Sequence, residues 1–315
     1  MIKQNINFKK KQCIDYTNLI FDEVVIINSD KLYELSKNKN IDFSDALFKK
    51  DVIFDNCRFE KNITFKNITF ENNVSFKNCV FYGDCIFKNV EFSRELTSEK
   101  IFIHSKIKGQ KVSFENIKNL PRLDGIIFSN CTKVLLKDIK YSKNNYENAK
   151  INYRIAKNQC SITGDYEKLG HYYYMERYYG GKCIKRSGFK GNIQYINAKF
   201  IDFLSRIIIG YGEKPLNIFI ISFFIISLFA ILYMVTGVKY NDKIIKIGEV
   251  KNIYELIKNY IDLWYFSMIT FTTVGYGDIL VSNILGKILV SIEVFLGLTM
   301  AASWTSVIFR KISRK

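Results

Sequence analysis

Seven consecutive residues near the C-terminus, Thr272-Thr273-Val274-Gly275-Tyr276-Gly277-Asp278, carry the most specific chemistry in the chain. A dehydrated cation needs a ring of oxygens, and backbone carbonyls can supply one only where they all turn toward a single axis. In an extended segment that demands unusual backbone angles at alternate positions. Gly275 and Gly277 are where the chain can take positive φ without a Cβ penalty. Thr273 adds a hydroxyl, while Val274 and Tyr276 are expected to point away from the axis and pack against a supporting helix. A lone Gly-Tyr-Gly would be an ordinary turn. Here the full string follows an amphipathic helical stretch and lies between two long apolar runs.

Those runs must hold the segment in place. Pro215 to Val238 contains no charged residue and is long enough to cross about 30 Å of hydrocarbon as a helix. A second span is expected over 286–309, where the only charge inside Ile288 to Phe309 is Glu293. Between them lie an exposed polar turn (Lys239 to Lys251), a helix over 253–271 and the seven-residue segment at 272–278. Lys199, Arg206, Lys214, Arg310, Lys311, Arg314 and Lys315 flank the spans on one side, which predicts that both termini face the cytoplasm.

In this setting the motif resembles the pore-loop potassium-channel family, whose filter is a ring of backbone carbonyls from four such segments. The resemblance implies an all-α, two-span pore domain over 215–315 that assembles as a homotetramer. Potassium would be the permeant ligand, held by the carbonyls of Thr273, Val274, Gly275, Tyr276 and Gly277 and the Thr273 hydroxyl, with no cofactor. It also assigns filter support to Thr272, Asp278 and the aromatic cuff Trp264, Tyr265 and Phe266. The match has departures: Tyr265-Phe266 replaces a common tryptophan pair, Ile269 stands where some members place a carboxylate partner for the filter aspartate, and Ile279-Leu280-Val281-Ser282 lacks the usual proline. Gly286-Lys287 matches the start of the inner helix and Gly297 its hinge position, with close packing against a neighbouring helix as the alternative. An ionisable group at mid-membrane is a functional-site hypothesis by default. Glu293 either lies behind the filter, hydrogen-bonded to its backbone, or faces the water-filled cavity; the first placement is preferred.

Residues 1–120 carry an internal repeat. Phe43, Phe48, Phe54, Phe59, Phe65, Phe70, Phe76, Phe81, Phe87 and Phe92 step by five and six residues in alternation, each preceded two positions earlier by a small or aliphatic residue. Weaker units extend the repeat from Ile14 to Ile117. Inward, outward, inward across each triplet is strand alternation, and Asn67, Asn72, Asn78 and Asn89 supply corners. Stacked short strands with a continuous phenylalanine column describe a β-solenoid. The pattern is similar to the pentapeptide-repeat family, which implies a four-sided coil, although alternating five and six puts about 22 residues in a turn rather than about 20. Some members of that family mimic DNA, an activity that needs an acidic surface, and this segment is mildly basic. Cys57, Cys79 and Cys85 fall at inward positions and are expected to be small core residues, with redox sensing as the alternative.

Over 121–195 a residual set of short apolar triplets, Ile126-Ile127-Phe128 and Val134-Leu135-Leu136, ends the solenoid, and the periodicity then turns helical. Tyr146, Ala149, Tyr153, Ala156 and Cys160, then Tyr166, Leu169, Tyr173 and Glu176, predict a hairpin about Thr163-Gly164-Asp165 that caps the last coil. His171 is expected to be an ordinary surface or core residue. A basic, glycine-containing linker (Lys182, Lys185, Arg186, Lys190) leads to an amphipathic interfacial helix at 196–214 with Ile196, Phe200, Phe203, Leu204, Ile207 and Ile208 on its apolar face. Gly210 and Gly212 break it before the first span, and by resemblance to channels in which such a helix slides, they are candidates for gating.

The composition fits this division. With 47 basic and 30 acidic residues the chain carries +17, concentrated just before the first span, as expected against anionic lipid rather than nucleic acid, for which no binding module is present. Seven cysteines, all ahead of the first span, point to a reducing compartment, and the polar stretch Met1 to Gln12 has no signal-peptide core. No nucleophile–base set, phosphate loop or metal cluster suggests an enzyme. The expected protein is a multidomain membrane channel, selective for potassium, with an N-terminal β-solenoid of unknown cytoplasmic ligand or partner, in a prokaryotic plasma membrane. The alternatives are a non-selective cation channel and a membrane-anchored solenoid scaffold.

Overall fold

The computed structural model describes residues 13–28, 39–93, 101–188, 191–240, 243–249 and 252–314. Met1 to Gln12, Lys190 and the polar-turn positions 241–242 and 250–251 lie outside these. The chain divides into two compact units, Met1–Lys199 and Phe200–Lys315.

In the first unit, strands of two to five residues stack into four parallel ladders, one per side of a four-sided solenoid. The six-stranded ladder runs Cys13–Asp15, Asn40–Asp42, Ile63–Lys66, Cys85–Lys88, Lys111–Glu115 and Lys133–Lys137. Its register sets Ile63 beside Cys85 and Phe65 beside Phe87, so the alternating five- and six-residue steps close one coil. The two kinds of corner are built differently. In the five-residue steps Asn56, Asn67, Asn78 and Asn89 hold φ between 52 and 55°, a left-handed conformation that asparagine tolerates better than most residues. In the six-residue steps a side chain of one coil accepts a backbone N–H of the next: Asn62 N–H donates to Asn40 Oδ1, Asp84 N–H to Asn62 Oδ1 and Asn73 N–H to Asp51 Oδ1. Asn72 sits, as expected, at a corner, one of the six-residue kind, where its Nδ2 donates to Lys49 O across coils.

The phenylalanine column is in fact four stacks. Tyr16, Phe43, Phe65, Phe87 and Phe114 form one, with near-parallel rings 4.8–5.3 Å apart. Phe21, Phe48, Phe70 and Phe92 form the second, Phe54, Phe76 and Phe102 the third, and Phe59 and Phe81 the fourth. The first and third meet edge-on, as at Phe65–Phe76, an arrangement aromatic pairs favour. Cys57, Cys79 and Cys85 are buried among them as free thiols. Burial and the neighbouring Asp84 push the Cys85 thiol above its ordinary range.

The solenoid continues past Pro121, through Ile126–Phe128 and Lys133–Lys137, and is then closed by two helices, α1 (Tyr146–Thr163) and α2 (Tyr166–Lys182). Gly164, at φ 71°, ends α1. Ala149, Tyr153, Ala156, Cys160, Tyr172 and Tyr179 join the same buried core as the phenylalanines. Tyr172, not Tyr173, is the inward residue; its hydroxyl accepts Leu136 N–H at 3.0 Å. Asn152 does the same from α1, accepting Leu123 N–H and donating to Pro121 O. Glu176 bridges the helices to Arg154 at 2.8 Å and Lys157 at 2.7 Å. Burial opposes its charge, but the two cations hold its carboxyl below the usual range. His171 is exposed.

Helix α3 (Asn192–Ile207) buries none of its side chains, and Ile196, Phe200 and Phe203 are exposed. The second unit is built on α4 (Pro215–Thr236), α5 (Ile253–Phe271) and α6 (Ile284–Ile312). Both α4 and α6 are long and apolar enough to cross a membrane. Helix α4 ends two residues before the expected limit of the span, because Gly237 takes φ 85° and Val238–Tyr240 becomes a strand. That strand pairs antiparallel with Lys243–Ile245 and with Ile279–Leu280, just beyond the 272–278 segment, a sheet that no alternation in the sequence marks. Asn283 joins the ends of α4 and α6 by donating to Thr236 O and Gly237 O while accepting Gly286 N–H.

Candidate functional site: the filter segment and its supports

Asn252 caps the start of α5 by accepting Glu255 N–H at 2.8 Å, and the helix runs without interruption to Phe271. Its end directs the filter. Thr273 N–H donates to Thr270 O at 3.0 Å, and Val274 and Gly275 N–H both donate to Ile269 O, at 2.9 and 3.2 Å. The Thr272 hydroxyl donates back to Met268 O. Left-handed backbone then alternates along the segment: Thr273 has φ 62°, Gly275 51° and Gly277 79°. The glycines were legible in the sequence; Thr273 was not, since a β-branched residue rarely adopts that conformation. Among the described residues no carbonyl from Thr273 to Gly277 accepts a hydrogen bond within the chain. The N–H groups of the first turn are thus spent on the helix, while those carbonyls stay unbonded within the chain.

Val274 and Tyr276 depart from expectation. Rather than packing on the pore helix they are 53% and 72% exposed, so the single chain offers them no wall. The cuff is split among different partners. Trp264 Nε1 donates to Ser227 Oγ on α4 at 3.2 Å, Phe266 is buried against the Tyr233 ring at 4.9 Å between centroids, and Tyr265 stays partly exposed beside Asp278. Tyr265 therefore faces the filter aspartate where Ile269, buried, cannot.

Glu293 is 0% exposed. Its Oε2 accepts the Tyr233 hydroxyl at 2.6 Å and its Oε1 accepts the Ser267 hydroxyl, so it neither bonds to the filter backbone nor opens onto solvent within the chain. Tyr233 and Ser267 were not picked out from the sequence. The one charge in the second span signals that polar partners exist, but α4 and α5 carry several other polar side chains and no local period singles these two out. Gly297, one turn further along α6, is explained by close approach: a Cβ there would lie 1.9 Å from Phe271 O.

Gly210 and Gly212 flank Tyr211, and all three are left-handed, with φ 52, 51 and 78°. This run turns the carbonyls of Tyr211 and Gly212 toward Arg310 near the end of α6, whose guanidinium donates to both and to Glu213 Oε1. Arg314 adds a second contact to Glu213 at 2.8 Å, and the buried Tyr211 donates its hydroxyl to Asp202 on α3.

Residues 220–314 match the family model described as ion channel, and residues 54–98 match that described as pentapeptide repeats. No curated protein and no solved structure matches the chain significantly. The chain is a fusion of a pentapeptide-repeat β-solenoid to an ion-channel domain.

Proposed function

We propose that the chain is one quarter of a homotetrameric, potassium-selective channel. The observation that carries this reading is the alternation of left-handed backbone at Thr273, Gly275 and Gly277, which leaves the carbonyls from Thr273 to Gly277 without acceptor duties in the chain. Four such segments about one axis supply stacked oxygen rings that replace a cation's hydration shell. The exposed faces of Val274 and Tyr276 fit the same arrangement, because a neighbouring copy provides the wall that one chain lacks. The end of α5 points its carbonyl-rich terminus at the filter's base, where partial negative charge favours a cation. Potassium is the permeant ligand, and no cofactor takes part.

Helices α4 and α6 span the bilayer with both termini on the cytoplasmic side, and α3 lies along the inner leaflet with its apolar residues in lipid. The solenoid is then cytoplasmic and joined to the pore through α3 and the loop around Gly210 and Gly212, the route by which a ligand or protein bound to it would influence gating. Full-length protein in liposomes under equal potassium and sodium gradients tests the reading. Potassium flux well above sodium flux is expected. Equal fluxes would make it a non-selective cation channel, and no flux would leave a membrane-anchored scaffold.

A further inference from the structure

We propose that Tyr233, Ser267 and Glu293 form a clamp that positions the filter, which makes Tyr233 and Ser267 positioning residues for selective permeation. The inference rests on the potassium-channel reading. Three helices meet at one buried carboxylate: Tyr233 comes from α4, Ser267 from α5 and Glu293 from α6. Tyr233 donates to one oxygen of Glu293 and the other meets the Ser267 hydroxyl, whose Oγ also lies 2.9 Å from Ile226 O on α4; among the described residues Glu293 has no ion-pair partner. A carboxylate withdrawn from water on those terms is costly to keep and sensitive to the loss of either donor.

What the clamp holds is the part of α5 that anchors the filter. Ser267 lies two residues before Ile269, whose single carbonyl accepts both Val274 N–H and Gly275 N–H. On the far side of Ile269, Phe271 O sits against Gly297 of α6, so closely that no Cβ fits between them. Helix α6 therefore touches α5 on both sides of that carbonyl, through a charged hydrogen bond at Ser267 and through backbone contact at Phe271. From α4, Tyr233 holds two adjacent residues of α5, packing its ring on Phe266 and placing its hydroxyl on the carboxylate that Ser267 shares. A shift of the carboxylate moves Ser267, then Ile269 O, then the first carbonyls of the filter.

Hydroxyl deletion separates this role from packing, since Tyr233→Phe keeps the ring and Ser267→Ala changes one atom. Full-length wild type, both single variants and the double variant Tyr233→Phe with Glu293→Gln are reconstituted, with the potassium-to-sodium flux ratio and chromatographic assembly measured for each. Each single variant is expected to lower the ratio about tenfold, the factor that goes with one lost hydrogen bond to a charged group, without loss of assembly. The double variant is expected to recover much of it, because glutamine leaves no buried charge short of a donor. Wild-type ratios in both single variants would overturn the proposal, as would a double variant no better than Tyr233→Phe, or assembly lost in the singles and not restored in the double. A wild-type protein that fails to discriminate the two ions would instead overturn the channel reading itself.

Discussion

The two units differ in where their unfinished surfaces lie. In the solenoid each phenylalanine of the column finds its neighbours one coil away in the same chain, and α1 and α2 close the last coil with their own tyrosines. In the pore unit the large apolar residues Leu216, Phe219, Phe295 and Phe309 face outward, and the segment from Thr272 to Asp278 is exposed from end to end. One unit is complete as a single chain. On the channel reading proposed above, lipid and further copies would cover the other unit's exposed border, so a substitution in the solenoid is expected to act on folding and one in the pore unit on assembly and permeation.

The sharpest way to break that division is Phe76→Ala. The Phe76 ring is stacked between Phe54 and Phe102 and meets Phe65 and Phe87 edge-on, with no exposed surface. Truncating such a residue costs about 3–5 kcal/mol. The thermal transition of the solenoid unit in the intact protein is expected to fall accordingly, while the potassium-to-sodium flux ratio below that transition stays at the wild-type value. A changed ratio would show that the solenoid core and the filter are not energetically separate.

The same division explains what could be read from the sequence. A repeat states its own contacts: the five–six alternation of phenylalanines implied a solenoid, and each coil confirms the one before it, so the fold class followed from side-chain period alone. It did not reveal that the corners are of two kinds, because both use the same residue type and differ only in backbone. In the pore unit Gly275 and Gly277 were legible as positions needing left-handed backbone, whereas Thr273 was not, since tertiary context overrides its preference. Tyr233 and Ser267 were hidden for another reason. Their partner Glu293 is 60 and 26 residues away, and no local period connects them. The strand at Val238–Tyr240 was absorbed into the apolar run before it, which composition alone does not divide.

A smaller effect is expected where the segment preceding α4 holds the end of α6. Alanine at Gly212 must adopt φ 78°, and its Cβ would stand 2.3 Å from the Arg310 guanidinium. Because that guanidinium is the end of a flexible side chain, it will move aside, giving up its contacts to the Tyr211 and Gly212 carbonyls. The cost is about 1–3 kcal/mol from backbone strain and overpacking. Hydrogen exchange reads it locally: the N–H groups of residues 212 and 213, bonded to Ile209 O and Gly210 O, should exchange about tenfold faster or more. Gly188→Ala, where no atom lies within 4 Å of a Cβ, is expected to leave them unchanged.

The smallest effect belongs to the solenoid's exposed corner, where Asn89 is the middle rung of a side-chain ladder. Its Nδ2 donates to Asn67 Oδ1 at 2.7 Å, its Oδ1 accepts from Asn116 Nδ2 at 2.8 Å, and its backbone sits at φ 52°. Alanine loses both rungs and tolerates that φ less well; glycine loses the rungs but relieves the backbone. Exposed hydrogen bonds of this kind contribute about 0.5–1.5 kcal/mol each at most, since water replaces them. Asn89→Ala is therefore expected to destabilise the solenoid unit by about 1–2 kcal/mol, and Asn89→Gly by less. Denaturant melts of the two variants decide which term dominates. A glycine variant as unstable as the alanine one would place the cost in the ladder, and a glycine variant equal to wild type would place it in the left-handed backbone.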